Sequence, residues 1–164
     1  MNATLAFILT SAGRYDQARE ALDRTLELDR AYPYAHLYFG HLFMAQGDYE
    51  RAIAAYERAA TFGLDTPPTQ IALGAAYARA GQTERARAIL VELGKRTENV
   101  SPAEVAVLLV ALGERERALS SLEEAFRVRD THLQQLGVEP GLDPLRPEPR
   151  FKDLAQRIGL VSAQ

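Results

Sequence analysis

The chain contains no cysteine. Without a thiol there is no disulfide staple, no thiolate zinc site and no cysteine nucleophile. Lysine is almost missing as well: Lys95 and Lys152 stand against seventeen arginines, beside abundant alanine, a usage typical of a GC-rich bacterial genome. A basic excess is also lacking. Nineteen basic residues face 22 acidic ones, the formal charge is −3, and no basic stripe runs along any segment. That balance argues against a nucleic-acid partner. Long apolar runs are absent too; the longest, residues 105–112, falls far short of the ~20 residues a helix needs to cross a bilayer. The opening residues 1–9 are apolar but lack the positive start of a secretory leader, and they fit the repeat register given below, so they read as helix. Cytoplasmic placement is the expectation, with a periplasmic one equally compatible with the missing cysteine. What remains is globular composition, 47% hydrophobic and 25% charged over 164 residues. That length fits one ordinary domain, or four to five units of about 34 residues.

The residues that are present repeat. Gly13, Gly47, Gly81 and Gly113 are 34, 34 and 32 residues apart. Eight positions before each stand Leu5, Phe39, Leu73 and Val105; seven before, Ala6, Gly40, Gly74 and Ala106; four before, Leu9, Phe43, Tyr77 and Leu109. Five positions after come Ala18, Ala52, Ala86 and Ala118; nine after, Leu22, Tyr56, Leu90 and Leu122; twelve after, Thr25, Ala59, Leu93 and Ala125. Thr25 alone is neither apolar nor glycine. Offsets of three and four place each set on one stripe of a helix, before and after the glycine. The glycine supplies the positive φ that ends the first helix. Small columns let the two helices approach, and large columns fill the space beside them.

The pattern predicts helices over residues 2–12, 15–29, 33–46, 49–62, 67–80, 83–95, 102–112 and 115–129, with no strand. Ser101, Pro102, Ala103 and Glu104 form a capping box with proline at the first helical position. Thr66 precedes Pro67 and Pro68 in the same manner, and Thr83 is placed to cap the helix after Gly81. The expected architecture is all-α: four helix-turn-helix pairs in a right-handed superhelical solenoid over residues 1–129, followed by a proline-rich turn and a capping helix over 130–164.

These columns resemble the tetratricopeptide repeat. The strongest row is Gly40, Phe43, Gly47, Asp48, Tyr49, Ala52, Tyr56 and Ala59, and the first row closes with residues 21–29 in a manner similar to the family's. His36 and Gln70 stand where a tryptophan is expected, and Arg30 where a helix-ending proline is usual. The resemblance implies the fold and, in general terms, a protein-interaction role.

From Asp130 the period fails, and residues 136–151 hold four prolines, which rules out continuous helix. Phe151, Leu154, Ala155 and Ile158 then recur at helical spacing, with Gly159 as a stop. Such a helix would cover the apolar face of the last repeat, near Leu122, Ala125 and Phe126, as the end of a repeat stack requires. The tail also resembles the C-terminal ends of bacterial tetratricopeptide proteins joined to winged-helix regulators, serine/threonine kinases or adenylate cyclases. The matching residues are Val138, Pro140, residues 143–146, 149–151, Leu154, Gly159 and Leu160; Gly141, Leu142 and Glu148 depart from that pattern. Met1 falls inside the first helix, so the first repeat is expected to be short at its start. The expectation drawn from these two observations is the regulatory or sensory end of a longer signalling protein. A short first repeat in a complete protein is the alternative.

In a stack of this kind the first helix of each pair lines a concave face. Its outward columns are Ala3, Leu37, Ile71 and Ala103; Phe7, His41, Ala75 and Val107; and Thr10, Met44, Ala78 and Val110, with Tyr34 and Arg79 flanking. This groove is apolar and suits an amphipathic helix, an extended apolar peptide, or the protein's own C-terminal segment. Tyr34, Leu37, His41, Met44, Ile71 and Arg79 are the candidate partner-binding residues; surface alanines and packing between neighbouring repeats account for the same columns without a partner. The carboxylate clamp of chaperone-binding relatives is absent, since the corresponding columns hold Ala3, Phe7, Tyr38, Pro68 and Ala72. His36 and His41 lie five apart, about 140° around a helix, and do not converge on a metal. His36 occupies a packing column. His132 with Asp143 and Asp153 could form an acid–base set, although Asp143 before Pro144 reads better as a turn residue. No nucleophile elbow or phosphate loop is present. The runs at 114–117 and 123–129 read as solvated helix surface with supporting i,i+3 and i,i+4 pairs. The functional expectation is a non-enzymatic protein-interaction module with no cofactor and no metal. Its partner would be a protein, a peptide or an upstream domain of the same chain, with self-association open.

Overall fold

The computed structural model describes residues 2–96 and 100–160, the Asn2 side chain apart. Met1, assigned above to the first helix, and residues 161–164 at the end of the expected tail segment lie outside the described residues. Eight repeat helices form: α1 (Asn2–Ser11), α2 (Tyr15–Leu28), α3 (Pro33–Ala45), α4 (Tyr49–Thr61), α5 (Pro67–Arg79), α6 (Thr83–Lys95), α7 (Pro102–Ala111) and α8 (Arg115–Arg127). Two 3-10 turns, Thr131–Gln135 and Pro140–Leu145, lead to α9 (Pro149–Arg157). No strand occurs among the described residues. Two compact units divide the chain, Met1–Gln82 and Thr83–Gln164, so the division falls just after the third repeat glycine.

The four glycines do what their spacing requires. Their φ angles lie between 72° and 78°. Each amide donates to the carbonyl three residues back, and the next amide reaches five back, as in Gly47 N to Met44 O and Asp48 N to Phe43 O. This is the Schellman arrangement, which satisfies carbonyls that the helix end leaves open. The end of α8 uses the same bonds without a glycine: Arg129 has φ 58°, its amide donates to Phe126 O, and the Asp130 amide donates to Ala125 O.

Caps follow the sequence only in part. Ser101 Oγ accepts from the Glu104 amide at 3.2 Å, which is half of the expected box, while the Glu104 carboxylate turns toward His132. Thr66 stands at the cap position, yet its hydroxyl meets Thr69 Oγ1 at 3.1 Å instead of a backbone amide. Thr83 is already the first residue of α6 rather than its cap. Asp48 caps α4 through the Arg51 amide.

In the first unit α1 packs on α2 and α3, α3 on α4, and α4 on α5. The small columns are closed: Ala6, Ala18, Ala52 and Ala59 have no exposed surface. Gly40 is the tightest position. A Cβ there would sit 2.3–2.6 Å from ring carbons of Tyr56, which is itself 1% exposed. Leu5 departs from its column. It is 48% exposed, whereas Phe39 and Leu73 are buried.

In the second unit the tail takes part in the core. Leu133, Leu136, Leu142 and Leu145 are buried with Ala103, Ala106, Leu109 and Val110 of α7. Phe151, Leu154 and Ala155 of α9 join Leu122 and Ala125 of α8 in the same cluster, with Phe126 and Ile158 at its edge. The proline-rich stretch folds as a 3-10 turn because proline opens it at Pro140. Short i→i+3 bonds, Leu142 N to Glu139 O and Arg146 N to Asp143 O, close it without an amide from Pro144. Charge fixes α9 as well. The Arg150 guanidinium meets Glu123 at 2.8 and 2.9 Å and Glu116 at 2.9 Å, and that of Arg157 lies 4.3 Å over the Phe126 ring. Two acidic residues of the supposedly solvated runs are therefore docking points for the tail.

Two stability outcomes follow from these contacts. Gly40→Ala must displace the buried Tyr56 ring and is expected to cost about 1–3 kcal/mol, read as a lower midpoint in chemical denaturation. Phe151→Ala leaves a cavity beneath α9 and is expected to cost about 3 kcal/mol. An unchanged melting curve for Phe151→Ala would show that α9 adds nothing to the second unit.

Candidate functional site

Four of the six candidate residues, Tyr34, Leu37, His41 and Met44, lie on one stripe of α3, because offsets of three and four repeat along a helix. The other two, Ile71 and Arg79, are on α5. Tyr34 is 43% exposed, Leu37, His41 and Met44 are half-buried, and Arg79 is exposed. Ile71 is only 5% exposed, so it offers a partner almost no surface and serves packing first.

The structure adds a feature around α3. Phe7 of α1 meets Tyr38 with ring centroids 5.7 Å apart and His41 at 5.9 Å. Tyr38 lies 6.5 Å from Tyr34, which lies 5.9 Å from Tyr32. These rings form one row across α1 and α3, with Phe7, Tyr34 and Tyr32 at 46%, 43% and 36% exposure. Tyr32 and Tyr38 were not among the candidates. The usable signal is aromatic residues two and four apart, Tyr32, Tyr34 and Tyr38, around the start of α3.

His41 sits at the inner end of the row. Its Nδ1 is 2.9 Å from the Tyr56 hydroxyl, and the Tyr56 ring lies edge-on at 5.5 Å. Although part of the residue remains accessible, the imidazole is shut in by Phe7, Tyr38 and Tyr56. Burial lowers its pKa to about 4, so the ring is neutral at physiological pH. His36 points elsewhere: it is 5% exposed, and its Nε2 lies 2.9 Å from Arg30 O. Two histidines of one helix thus have separate partners.

On α7 the same columns are covered. Gly141 approaches so closely that a Cβ would lie 2.6 Å from Val107 Cγ1. Leu142 and Leu145, 2% and 0% exposed, share a core with Ala103 and Val110. The small residues of the fourth repeat are the seat of the tail.

The ionisable cluster of the second unit differs from the expected one. Asp143 pairs with Arg146 at 2.6 Å and Asp153 with Arg157 at 3.3 Å, so neither stands against His132. Arginine lies one turn from each and neutralises it. The carboxylates at His132 are Asp130, 3.0 Å from Nδ1, and Glu104, 3.6 Å from Nε2. Asp130 is a buried clasp. It accepts from Ser101 Oγ at 2.6 Å, from the Ala103 amide at 3.2 Å and from the His132 amide at 2.9 Å, joining the start of α7 to the first 3-10 turn. Burial alone would raise the Asp130 carboxyl, but these bonds, with the His132 ring, hold it below the ordinary range. Glu104 is raised, chiefly by burial, with Asp130 and Glu139 adding to the effect and His132 opposing it. The Ser101 hydroxyl is engaged by Asp130 rather than by a histidine, which is the geometry of a cap, not of a nucleophile. Among the described residues no group of three or more His, Asp or Glu is placed to hold a metal ion.

A carboxyl depressed in the folded state adds stability above its unfolded pKa, near 3.9, and that stability is lost as pH falls through its folded value. Asp130→Asn is therefore expected to destabilise the second unit at neutral pH by roughly 1–3 kcal/mol. The gap from the parent should narrow on acidification below about pH 4. Parallel denaturation curves at pH 7 and pH 3 check the sign; a constant gap would mean the carboxylate form is not what the clasp uses.

Comparison with known proteins comes at two places along the chain. Family models described as tetratricopeptide repeat match residues 8–66 and 43–106. No curated protein matches the chain. No described helix is long and apolar enough to cross a membrane.

Proposed function

We propose that this chain, which belongs to the tetratricopeptide repeat family, is a non-enzymatic interaction module that receives a peptide or partner segment on the α1/α3 face. Repeats of this family are generally protein–protein interaction modules. The observation that carries the finer reading is the row of partly exposed rings Phe7, Tyr38, Tyr34 and Tyr32, continued by Leu37 and Met44 along α3. Aromatic side chains that remain accessible in rigid positions bring large contact area at little ordering cost, which is why they dominate binding hot spots. Helices hold these rings in place, and His41 backs the row without charge.

The remaining candidates take graded roles. Met44 and Leu37 supply adaptable apolar contact, Arg79 a charge at the margin of α5, and Ile71 support from beneath. The fourth repeat does not contribute its α7 face in the tail-docked state, since residues 133–145 cover it. Residues 130–160 act as the cap of the second unit in this reading.

Leu37→Glu with Met44→Glu places two charges on half-buried positions of the face without touching the closed columns. A partner recovered by pull-down should lose at least tenfold in affinity for the folded double variant. A partner that binds the variant as well as the parent would exclude the α3 face as its site.

A further inference from the structure

We infer that the cleft between α2 and α4 is a docking site distinct from the α1/α3 face, and that it takes an acidic segment of a partner protein: side-chain carboxylates beside an apolar residue. It does not depend on the reading of the α1/α3 face.

The cleft is built within the first unit. His36, Phe39 and Phe43 fall on one stripe of α3, at offsets of three and four, separate from the stripe of Tyr34, Leu37, His41 and Met44. They are buried and make its base, with the Phe39 and Phe43 rings stacked at 5.6 Å. Leu26 of α2 and Ala54 of α4 add to the apolar lining, and the space enclosed is about 380 Å³. That is room for a few side chains.

Charge lines the walls. Arg19 comes from α2, Arg51 and Arg58 from α4, and among the described residues of the lining Asp23 is the one acid. Arg19 and Arg51 bear on the same ring, with Cζ 5.5 and 4.2 Å from the Phe43 centroid. No run of sequence announces this excess, because the three arginines are shared between two helices.

Arg19 is the telling residue. Elsewhere on second helices arginine pairs with a carboxylate one turn away, as Arg24 with Glu20, Arg117 with Glu114 and Arg127 with Glu124. Arg19 has Asp16 and Asp23 at the same offsets, yet among the described residues it forms an ion pair with neither and turns to Phe43 instead. Arg58 likewise has no carboxylate partner among the described residues. Arg51 spends Nη1 on Asp48 at 3.1 Å.

A guanidinium held over a ring keeps its N–H edge free, and that edge is the fork that fits a carboxylate. Cations gathered over apolar rings repel one another until an anion lies between them, and the walls focus their field into the cleft. The excess is local, since the chain as a whole carries −3. A long polyanion such as nucleic acid would meet repulsion beyond the cleft. A segment with a few carboxylates confines its charge to the arginines, and an apolar neighbour fills the space over Leu26 and Ala54.

The test uses the full chain and a short blocked peptide of glutamate and aspartate around one phenylalanine. Its glutamine and asparagine isostere is the neutral control, oligothymidylate the phosphate polyanion, and binding is read by NMR shift titration. The acidic peptide should give saturable shifts on α2 and α4 about Arg19 and Arg58, weaker at high salt, and the control none. Arg19→Gln and Arg58→Gln should each weaken it about fivefold or more while melting as the parent does. Asp23→Asn removes the cleft's own acid and should tighten binding about twofold, a gain that damage to the fold cannot produce. Absence of saturable binding by the acidic peptide overturns the inference, as does equal binding by the neutral control. Unchanged affinity in both arginine variants, or no gain from Asp23→Asn, overturns it too. Oligothymidylate that displaces the peptide at lower concentration than the peptide itself overturns the choice of a protein segment, and makes the cleft a phosphate site.

Discussion

The contact on which the first unit turns is Gly40 against the Tyr56 ring. Any Cβ at residue 40 would overlap that ring, so glycine there sets how near α3 and α4 can approach. Near approach buries Tyr56 almost completely and brings its hydroxyl 2.9 Å from His41 Nδ1. His41 in turn meets Phe7 of α1 and Tyr38 of α3. A single missing methyl thus reaches from repeat packing to the ring row on the opposite face of the helix. The same bond explains why a histidine is tolerated in a half-buried column. Its polar atom has a partner, and burial holds the ring neutral.

The second unit solves its packing differently. α7 carries Ala103, Val107 and Val110 where α3 carries Leu37, His41 and Met44, and small side chains let the backbone of the tail settle at van der Waals distance. Leucines at 133, 136, 142 and 145 then fill the space that larger groove residues would have taken. Asp130 fastens this arrangement at one end, binding Ser101 and the Ala103 amide, and Arg150 at the other, binding Glu116 and Glu123. Both fasteners use charge-assisted bonds, which hold geometry more firmly than neutral ones. One face of the repeat is therefore used in two ways within one chain: filled where the columns are small, open where they are aromatic.

Much of this was legible in the sequence, for a definite reason. Glycines spaced near 34 and apolar residues at offsets of three and four are local signals, and the eight repeat helices, the Schellman turns and the helical spacing of Phe151, Leu154 and Ile158 are local consequences. What escaped is non-local. No spacing rule announces that Arg150 reaches Glu116 across 34 residues, that Asp130 rather than Ser101 alone organises the start of α7, or that Leu142 and Leu145 seat in the groove of the fourth repeat. Side-chain competition also overrode local chemistry. Thr66 has cap-forming character but meets Thr69, and Glu104 leaves its box for His132. For the site, the stripe of Tyr34, Leu37, His41 and Met44 could be placed from helical geometry. Phe7 shares a groove column with His41, but that its ring meets both Tyr38 and His41 follows only from the packing of α1 beside α3.

Neutrality at His41 sets the electrostatic character of the ring cluster on α1 and α3. A histidine with an ordinary pKa near 6.5 would place partial positive charge at the end of the row and admit carboxylates. Enclosure by Phe7, Tyr38 and Tyr56 prevents that, because the ring cannot protonate without losing hydration it has no means to replace. Arg19 and Arg51 sit around a different ring, that of Phe43, at 5.5 and 4.2 Å from its centroid. Along the row of α1 and α3 the accessible surface is consequently made of ring faces and tyrosine hydroxyls, held on helices that pack against each other.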